Sequence, residues 1–256
     1  MIAPTIPWDD RGLLLGDGLF ETLLWEDGAL ADFGAHALRL ERGCALLGLP
    51  APAAADLAEA AEKAIAGRRL SAARAAVRLN WTVGSGGRGL DRPDPAEPRL
   101  FALAFPAPAP APSVSLATVS VRRNEGSPLS RVKSLAYLDN VLARREARAA
   151  GADAGLMLNN AGEVACADAA NILWFEGDRL VTPRLACGVL EGTVRARVLA
   201  RAAELGLDVE EVSSRRASLD AATGLFLTNS LTGVQRVASL DGRPVEAHPL
   251  LERLKA

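Results

Sequence analysis

The stretch Arg-Val-Lys-Ser-Leu-Ala-Tyr-Leu-Asp-Asn, residues 131–140, organises the chain, and Lys133 is its most informative residue. The protein is rich in arginine but has only three lysines. Lys63 falls on the polar side of a predicted helix, and Lys255 is one residue from the C-terminus. Lys133 lies mid-chain, after a predicted extended segment and before a predicted helix. Arginine cannot replace a lysine that must lose its proton and attack a carbonyl, because a guanidinium stays charged. Lys133 is therefore either an ordinary surface lysine or a candidate amine nucleophile.

The composition is that of a soluble globular protein. The 256 residues suffice for one large or two modest domains, with 49% apolar and 23% charged residues. A net charge of −2 gives no reason to expect a nucleic acid or an acidic membrane as partner. There is no apolar run long enough to span a bilayer and no signal-peptide pattern at the N-terminus. The three cysteines lack metal-like spacing, so we expect a reduced, cytoplasmic chain without a metal site.

Hydrophobic patterns predict a mixed α/β (α+β) protein with two domains. Residues 13–32 are predicted to be extended, and His36 opens the first predicted helix. The alternating Pro-Ala run at residues 106–112 predicts a stiff linker. We therefore predict a small N-terminal domain at residues 1–105 and a larger C-terminal domain at residues 113–256. The second half mixes strands and helices without strict βαβ alternation.

Several familiar site motifs are absent or incomplete. The chain has neither a GxSxG nucleophile elbow nor a phosphate-binding loop that ends in Gly-Lys-Ser/Thr. Residues 84–89 do contain GxGxxG, but the Leu-Asp-Arg-Pro-Asp-Pro that follows cannot begin the helix that a dinucleotide site requires. The plainer interpretation is a loop that brings its backbone close to a ligand and presents Arg88.

Three features could bind an anion. Thr193 and Val194 begin a predicted helix, whose free amides and positive dipole end suit a phosphate, although an ordinary capped helix is the commoner case. Asn229 and Ser230 could add donors or could form a polar turn. Arg39 lies on a mostly apolar helix face and could reach inward, or could be a surface arginine. A lysine that forms a Schiff base, together with a phosphate cup, is what pyridoxal phosphate needs.

Motifs along nearly the whole chain resemble those of fold-type IV pyridoxal-phosphate enzymes. This family contains branched-chain aminotransferases, D-amino acid aminotransferases and 4-amino-4-deoxychorismate lyases. The segments that carry the resemblance are Asp10–Gly12, Gly16–Thr22, His36–Leu40, Lys133 with Leu135, Asn140–Leu142 and Arg144, Ala170–Trp174, Thr182–Pro183, Gly188–Arg195 and Thr228–Leu231. The loop at residues 84–89 is most similar to the aminodeoxychorismate lyase branch.

The resemblance implies a role for each matched residue. Lys133 is expected to form the Schiff base with pyridoxal phosphate and to move the proton. The expected phosphate ligands are Arg39, the amides of Thr193 and Val194, and Asn229 with Ser230. Arg88 and the backbone near Leu231 are expected to meet substrate carboxylates, with Phe20 lining the pocket. The implied fold, like that of D-amino acid aminotransferase, has a smaller and a larger domain with the cofactor between them in a homodimer.

One position departs from the family pattern. The family usually places a glutamate against the pyridine nitrogen, but this chain has Cys166 at the matching position. If the segment is a strand, Asp168 shares the face of Cys166 about 6–7 Å further along and could substitute. A neutral thiol contact is the other possibility. Loss of the charge on the ring nitrogen weakens the electron sink, which should harm a transamination more than an elimination that ends in an aromatic ring.

The sequence thus leads to an ordered set of functional expectations. The first is a pyridoxal-phosphate-dependent 4-amino-4-deoxychorismate lyase. Such an enzyme converts a small substrate with carboxylates into 4-aminobenzoate, for folate synthesis, and pyruvate. The second is a D-amino acid or branched-chain aminotransferase of the same fold. The third, suggested by Cys166, is a non-catalytic protein that binds pyridoxal phosphate.

Overall fold

The computed structural model describes residues 5–68, 70, 74–86 and 89–255, which form two compact units. Unit 1 contains the described residues up to Ala109 together with Val132–Ala136. Unit 2 contains Pro110–Arg131 and the chain from Tyr137 onward. The change from unit 1 to unit 2 falls inside the predicted linker. Residues 132–136 differ from our domain prediction, because they pack with the N-terminal unit.

Unit 1 is a four-stranded antiparallel sheet with helices. Its elements are α1 (Arg11–Leu15), β1 (Gly18–Glu26), β2 (Ala29–Leu30), α2 (Phe33–Leu47), α3 (Ala54–Gly67), β3 (Arg74–Thr82) and β4 (Arg99–Pro106). The strand order is β2-β1-β3-β4. Strand alternation turns Leu23 and Val77 to one face, where they pack with Leu40 of α2 and Leu57 of α3. The helices therefore cover that face and leave the other for polar side chains.

The short helix α1 corrects the prediction of an extended segment from residue 13. The side chain of Asp10 accepts a hydrogen bond from the Gly12 amide, and Gly16 ends the helix in the left-handed conformation at φ 66°. An N-cap and a left-handed glycine are sufficient to define one helical turn. Leu13–Leu15 are too few to show helical periodicity, so the apolar pattern could not reveal the helix.

Unit 2 is a mixed sheet with helices. Its elements are β5 (Ser113–Arg123), α4 (Leu138–Ala149), β6 (Ala154–Asn159), β7 (Val164–Ala167), β8 (Asn171–Glu176), β9 (Arg179–Pro183), α5 (Thr193–Glu204), β10 (Val209–Val212), β11 (Gly224–Asn229), β12 (Gly233–Leu240) and β13 (Arg243–Pro244). The order is β10-β9-β8-β11-β12-β5-β6-β7, with β13 on β12. The pairs β9–β10, β5–β12 and β5–β6 are parallel, and the others are antiparallel.

Both faces of the unit 2 sheet are buried. Along β8, Ile172 and Trp174 pack into one apolar cluster, whereas Leu173 and Phe175 pack with Val194 of α5 in another. This burial on both faces explains why β8 reads as a continuous apolar run. The predicted mixed α/β class is confirmed. Among the described residues, none of the helices is long and apolar enough to cross a membrane.

Candidate active site

Lys133 lies in a turn of unit 1, next to Ser134, which forms an isolated β-bridge with Leu19 of β1. The Phe20 amide donates to the carbonyl of Lys133 at 2.8 Å, and the Leu135 amide donates to the carbonyl of Gly18 at 3.0 Å. Gly18 allows this close approach, because a Cβ there would lie only 2.8 Å from Cδ1 of Leu135. These contacts fix the backbone of Lys133, and its side chain is half-buried.

The aromatic ring of Phe20 is a shared contact for two cations of unit 1. Lys133 Nζ lies 4.2 Å from the ring centroid, and Arg78 Cζ lies 3.7 Å from the same centroid. Both distances are within the range of cation–π attraction. Arg78 also donates from Nε to the side-chain oxygen of Asn80 at 2.8 Å. Phe20, predicted to line the pocket, therefore contacts the predicted nucleophile directly.

Arg39 is held by a buried carboxylate. Its Nε and one terminal nitrogen donate to the two oxygens of Glu21 at 2.8 and 2.5 Å. The ring of His36 contacts the same carboxylate at 2.7 Å. Glu21 and His36 are buried, and 14% of the Arg39 side chain is exposed. This bidentate geometry sets the plane of the Arg39 guanidinium.

The electrostatics of Glu21 follow from these contacts. Burial alone would raise the pKa of this carboxyl group, because a charge is costly away from water. The hydrogen bonds and positive charge of Arg39, with a smaller contribution from His36, outweigh burial and lower the pKa to about 2. Glu21 is therefore ionised at neutral pH and forms a strong charged pair with Arg39.

In unit 2 the helix α5 begins at the two residues whose amides were predicted to bind an anion, Thr193 and Val194. Gly192 before them has no side chain that could cap the helix. A Cβ on Gly192 would lie 2.0 Å from the side-chain oxygen of Asn171, so glycine is required for this approach. The contact joins the start of α5 to the start of β8. This arrangement fits an anion, because the amide groups point out of the helix end.

The turn between β11 and β12 lies on the same side of this sheet. Thr228 is the register partner of Asn171, which contacts Gly192. Within the described residues, the hydroxyls of Thr228 and Thr232 have no hydrogen-bond partner, and Thr228 is only 1% exposed. A buried hydroxyl without a partner is costly, and an oxyanion would satisfy it. These two hydroxyls are further candidates for contacts to an anion.

Asn229 has a structural role in this turn. Its side-chain oxygen accepts from the amides of Leu231 and Thr232, both at 2.9 Å. Such a side-chain turn orients the backbone that follows. Ser230 and Leu231 are half-buried at the tip. The Leu231 amide, predicted to meet a substrate carboxylate, thus already donates to Asn229.

Cys166 lies in the middle of β7, opposite Met157 of β6. Its side chain is 8% exposed and belongs to an apolar cluster with Ala143 of α4. Burial raises the pKa of the Cys166 thiol, and the positive charge of Arg123 opposes that rise only in part. The thiol is therefore neutral at physiological pH.

Asp168 is the first residue of the turn that follows β7, which ends at Ala167. The two oxygens of Asp168 accept from Nε and a terminal nitrogen of Arg144 at 2.7 and 2.5 Å, and one also accepts from the Gly155 amide at 2.7 Å. The Asp168 carbonyl accepts from Asn140 at 2.6 Å. This carboxylate connects α4 to β6, which is a structural role.

The remaining predicted residue, Arg88, lies outside the described residues together with Gly87. The sequence reasoning also missed four residues of the two sites: Glu21, Arg78, Thr228 and Thr232. Glu21 and Thr228 occur in the motifs that match the family, so the family resemblance could have identified them as site residues. Arg78 and Thr232 had no local signal, because only the folded sheet and turn bring them to the site.

Comparisons with known proteins agree with this architecture. The family described as amino-transferase class IV matches residues 18–240. A protein of Methanocaldococcus jannaschii named "Putative branched-chain-amino-acid aminotransferase" is 33% identical, over 92% of this chain and 83% of its own. A crystal structure of "Putative 4-amino-4-deoxychorismate lyase" from Legionella pneumophila aligns with a TM-score of 0.92 and 31% identity, over 99% of this chain and 94% of its own.

A third match is the PLP-bound form of a hypothetical aminotransferase from Mycobacterium tuberculosis. It aligns with a TM-score of 0.86 and 27% identity, over 99% of this chain and 92% of its own. The expected fold-type IV architecture and the expectation of an enzyme are both confirmed. The chain belongs to the class IV aminotransferase family.

Proposed function

We propose that the protein is a pyridoxal-phosphate-dependent 4-amino-4-deoxychorismate lyase that forms 4-aminobenzoate and pyruvate. The observation that carries the proposal is the half-buried amine of Lys133, which lies over Phe20 on a segment fixed by backbone hydrogen bonds. Family membership and the PLP-bound relative support the choice of cofactor. The structural similarity to the Legionella protein supports the choice of reaction.

Different residues of the chain would attach the cofactor, bind its phosphate and orient the phosphate ligands. When bound, pyridoxal phosphate supplies an aldehyde that forms an imine with an amine and a ring that accepts electrons. Lys133 Nζ would attach the cofactor and, once a substrate amine has displaced it, would remove the proton from the substrate ring. The amides of Thr193 and Val194 and the hydroxyl of Thr228 would hold the phosphate. Arg39, oriented by Glu21, would complete that anchor.

The state of Cys166 favours the lyase over a transaminase. The thiol is neutral, and the one nearby candidate for a substitute carboxylate, Asp168, is bound to Arg144 and Gly155. We therefore assign Asp168 a structural role. A thiol cannot keep the ring nitrogen protonated as a carboxylate does, so the electron sink is weaker. An elimination that produces an aromatic ring needs that sink less than a transamination does.

An aminotransferase acting on branched-chain or D-amino acids is the second candidate. It is favoured by the 33% identity to the Methanocaldococcus protein. Both reactions use the same lysine and the same phosphate anchor, so the proposed site residues serve either one.

The deciding experiment supplies purified protein with aminodeoxychorismate and measures pyruvate and 4-aminobenzoate. Equal amounts of both products are expected. Parallel assays supply D-alanine or L-leucine with 2-oxoglutarate and measure glutamate. Glutamate in these parallel assays, with no 4-aminobenzoate or pyruvate formed from aminodeoxychorismate, would decide for the aminotransferase.

A matched pair of lysine variants tests the attachment site. Lys133→Ala should abolish turnover and leave no cofactor on the chain after borohydride reduction. Lys63→Ala should behave as the wild-type protein, because Lys63 is 72% exposed and forms an ion pair with Glu59 of its own helix. Cofactor trapped equally by both variants would refute the role of Lys133.

Two expectations complete the proposal. A homodimer is expected from the family resemblance, and light scattering after size-exclusion chromatography measures it. A cytoplasmic location is expected from the cysteine pattern, and cell fractionation with a specific antibody measures it.

A further inference from the structure

We propose that Asn171 is a positioning residue that fixes how the chain enters α5 and thereby sets how tightly the protein binds the cofactor's phosphate. The inference rests on the proposed phosphate site and adds to it a residue that acts through the main chain. Asn171 is the first residue of β8, and every residue that carries the argument belongs to unit 2.

The side chain of Asn171 contacts the turn before α5 at two points. Its Nδ2 donates to the carbonyl of Leu190 at 2.9 Å. Its Oδ1 lies so close to Gly192 that a Cβ on that glycine would be only 2.0 Å away. Asn171 is 7% exposed, so water competes little for these contacts. One side chain thus fixes two of the three residues that precede Thr193.

The strand pattern explains why Asn171 faces α5. Alternate residues of a strand share a face, and Leu173, two residues further along β8, belongs to one apolar cluster with Val194 of α5. Thr228 of β11 is directly opposite Asn171 in an antiparallel pair. Side chains in this relation lie on one face, with their Cβ atoms about 4.5–5.5 Å apart. The turn that Asn171 holds is therefore close to the Thr228 hydroxyl.

That hydroxyl indicates that the space between β11 and the start of α5 suits an oxyanion. Thr228 is 1% exposed, and its hydroxyl has no hydrogen-bond partner among the described residues. Gly192 supplies no side-chain cap to the helix. A phosphate could accept hydrogen bonds from the Thr228 hydroxyl and from amides at the start of α5 together. The distance between these donors depends on the turn that Asn171 holds.

Gly192 allows the contact to be tested from its other side. Its backbone, at φ −75° and ψ 137°, is in a region that any residue adopts, so alanine adds no backbone strain there. The new methyl would meet Oδ1 of Asn171 at 2.0 Å, whereas Arg195 Cβ, at 3.4 Å, is at an ordinary contact distance. Gly192→Ala should therefore displace chiefly the Asn171 side chain.

A comparison of two ligands isolates the contribution of the phosphate. Pyridoxal phosphate and pyridoxal share a ring and an aldehyde, and only the first carries a phosphate. Titration of the full-length, cofactor-free protein, followed by absorbance, gives a Kd for each ligand. We call the ratio of the pyridoxal Kd to the pyridoxal phosphate Kd the phosphate preference. The internal hemiacetal of free pyridoxal is the same in every titration and cancels when variants are compared.

Asn171→Ala should lower the phosphate preference by about tenfold or more, which corresponds to one hydrogen bond to a charged group. Asn171→Ser repeats the truncation with a polar side chain, in case the alanine variant does not fold. Asn159→Ala is the matched control, because it removes another buried asparagine of unit 2, one that donates to Glu163 at 2.8 Å. The control should lower the melting temperature and leave the phosphate preference unchanged.

A double-mutant cycle tests whether Asn171 acts through Gly192. Alone, Gly192→Ala should lower the phosphate preference about as much as Asn171→Ala does, because the methyl displaces the side-chain amide. In the Asn171→Ala background the space for this methyl is already open. Gly192→Ala should then change the preference by less than about twofold. Two independent effects that multiply in the double variant would overturn a role through Gly192.

The outcomes separate this inference from the proposed function. A lower phosphate preference in Asn171→Ala or Asn171→Ser, together with an unchanged one in Asn159→Ala, supports the positioning role. An unchanged preference in a folded Asn171 variant overturns it, whichever reaction the enzyme catalyses. A wild-type protein that binds both ligands equally well would refute the proposed phosphate site itself, and this inference with it.

Discussion

Replacing Glu21 with glutamine should remove a pH-dependent contribution to the stability of unit 1. The carboxyl group is 1% exposed, and its pKa falls from 4.5 in the unfolded chain to about 2 in the fold. Each unit of that difference corresponds to about 1.4 kcal/mol, so the charged pair with Arg39 and His36 contributes about 3 kcal/mol at neutral pH. We expect Glu21→Gln to lower the free energy of unfolding by at least this amount at pH 7.

The direction of the pH dependence follows from the depressed pKa. Above 4.5 the carboxylate is charged in both states, and the full contribution is present. As the pH falls towards 2, the unfolded state binds a proton first, and the contribution disappears. The stability difference between wild-type protein and Glu21→Gln should therefore shrink over this window.

Urea unfolding followed by tryptophan fluorescence measures this difference. In a Trp174→Phe background, the remaining tryptophans all belong to unit 1. Glu26→Gln is the matched control on β1, since Glu26 is 47% exposed and pairs with Arg74. This surface pair should cost less than about 1 kcal/mol at every pH. Parallel pH profiles for Glu21→Gln and the wild-type protein between pH 5 and 2.5 would refute the assignment of Glu21 as a buried, charged partner.

Three further predictions concern unit 2. Thr228→Val should leave the melting temperature unchanged or raise it, because the hydroxyl has no hydrogen-bond partner among the described residues. The same substitution should weaken pyridoxal phosphate binding several-fold, as measured by a fluorescence titration. Asp168→Asn should lower the free energy of unfolding by about 2–3 kcal/mol through loss of the charged pair with Arg144, as measured by urea unfolding. Cys166→Ala should keep pyruvate formation within about tenfold of wild type, and an inactive but folded variant would contradict a neutral, replaceable contact.

Much of the fold could be predicted from the sequence because its signals are local. Asp27-Gly28 is a sequence signal for the hairpin between β1 and β2, and both residues adopt the positive φ that this turn requires. Gly48 is likewise a helix-ending signal, and it follows α2 in the left-handed conformation at φ 65°. Helix α1 was missed, since a single turn defined by its caps carries no periodic pattern.

The site was less predictable because its contacts join distant parts of the chain. Arg39 was expected to be an anion ligand, but its pairing with Glu21 spans 18 residues and leaves no periodic trace. The ion pair of Asp168 could not be predicted either, because its partner Arg144 is 24 residues away on α4. Arg78 resembles any polar residue of an alternating strand until its register with β1 is known.

The return of residues 132–136 to unit 1 limits how the protein can be divided. The chain passes from one unit to the other at residues 109–110, 131–132 and 136–137. A gene fragment that stops in the proline-rich linker would encode the sheet of unit 1 without the segment that carries Lys133. Protease cleavage in that linker would likewise leave residues 132–136 held to the sheet of unit 1 by non-covalent contacts alone. The enzyme is therefore a poor candidate for domain shuffling or split-protein design at its most obvious boundary, and any dissection has to keep Lys133 with β1.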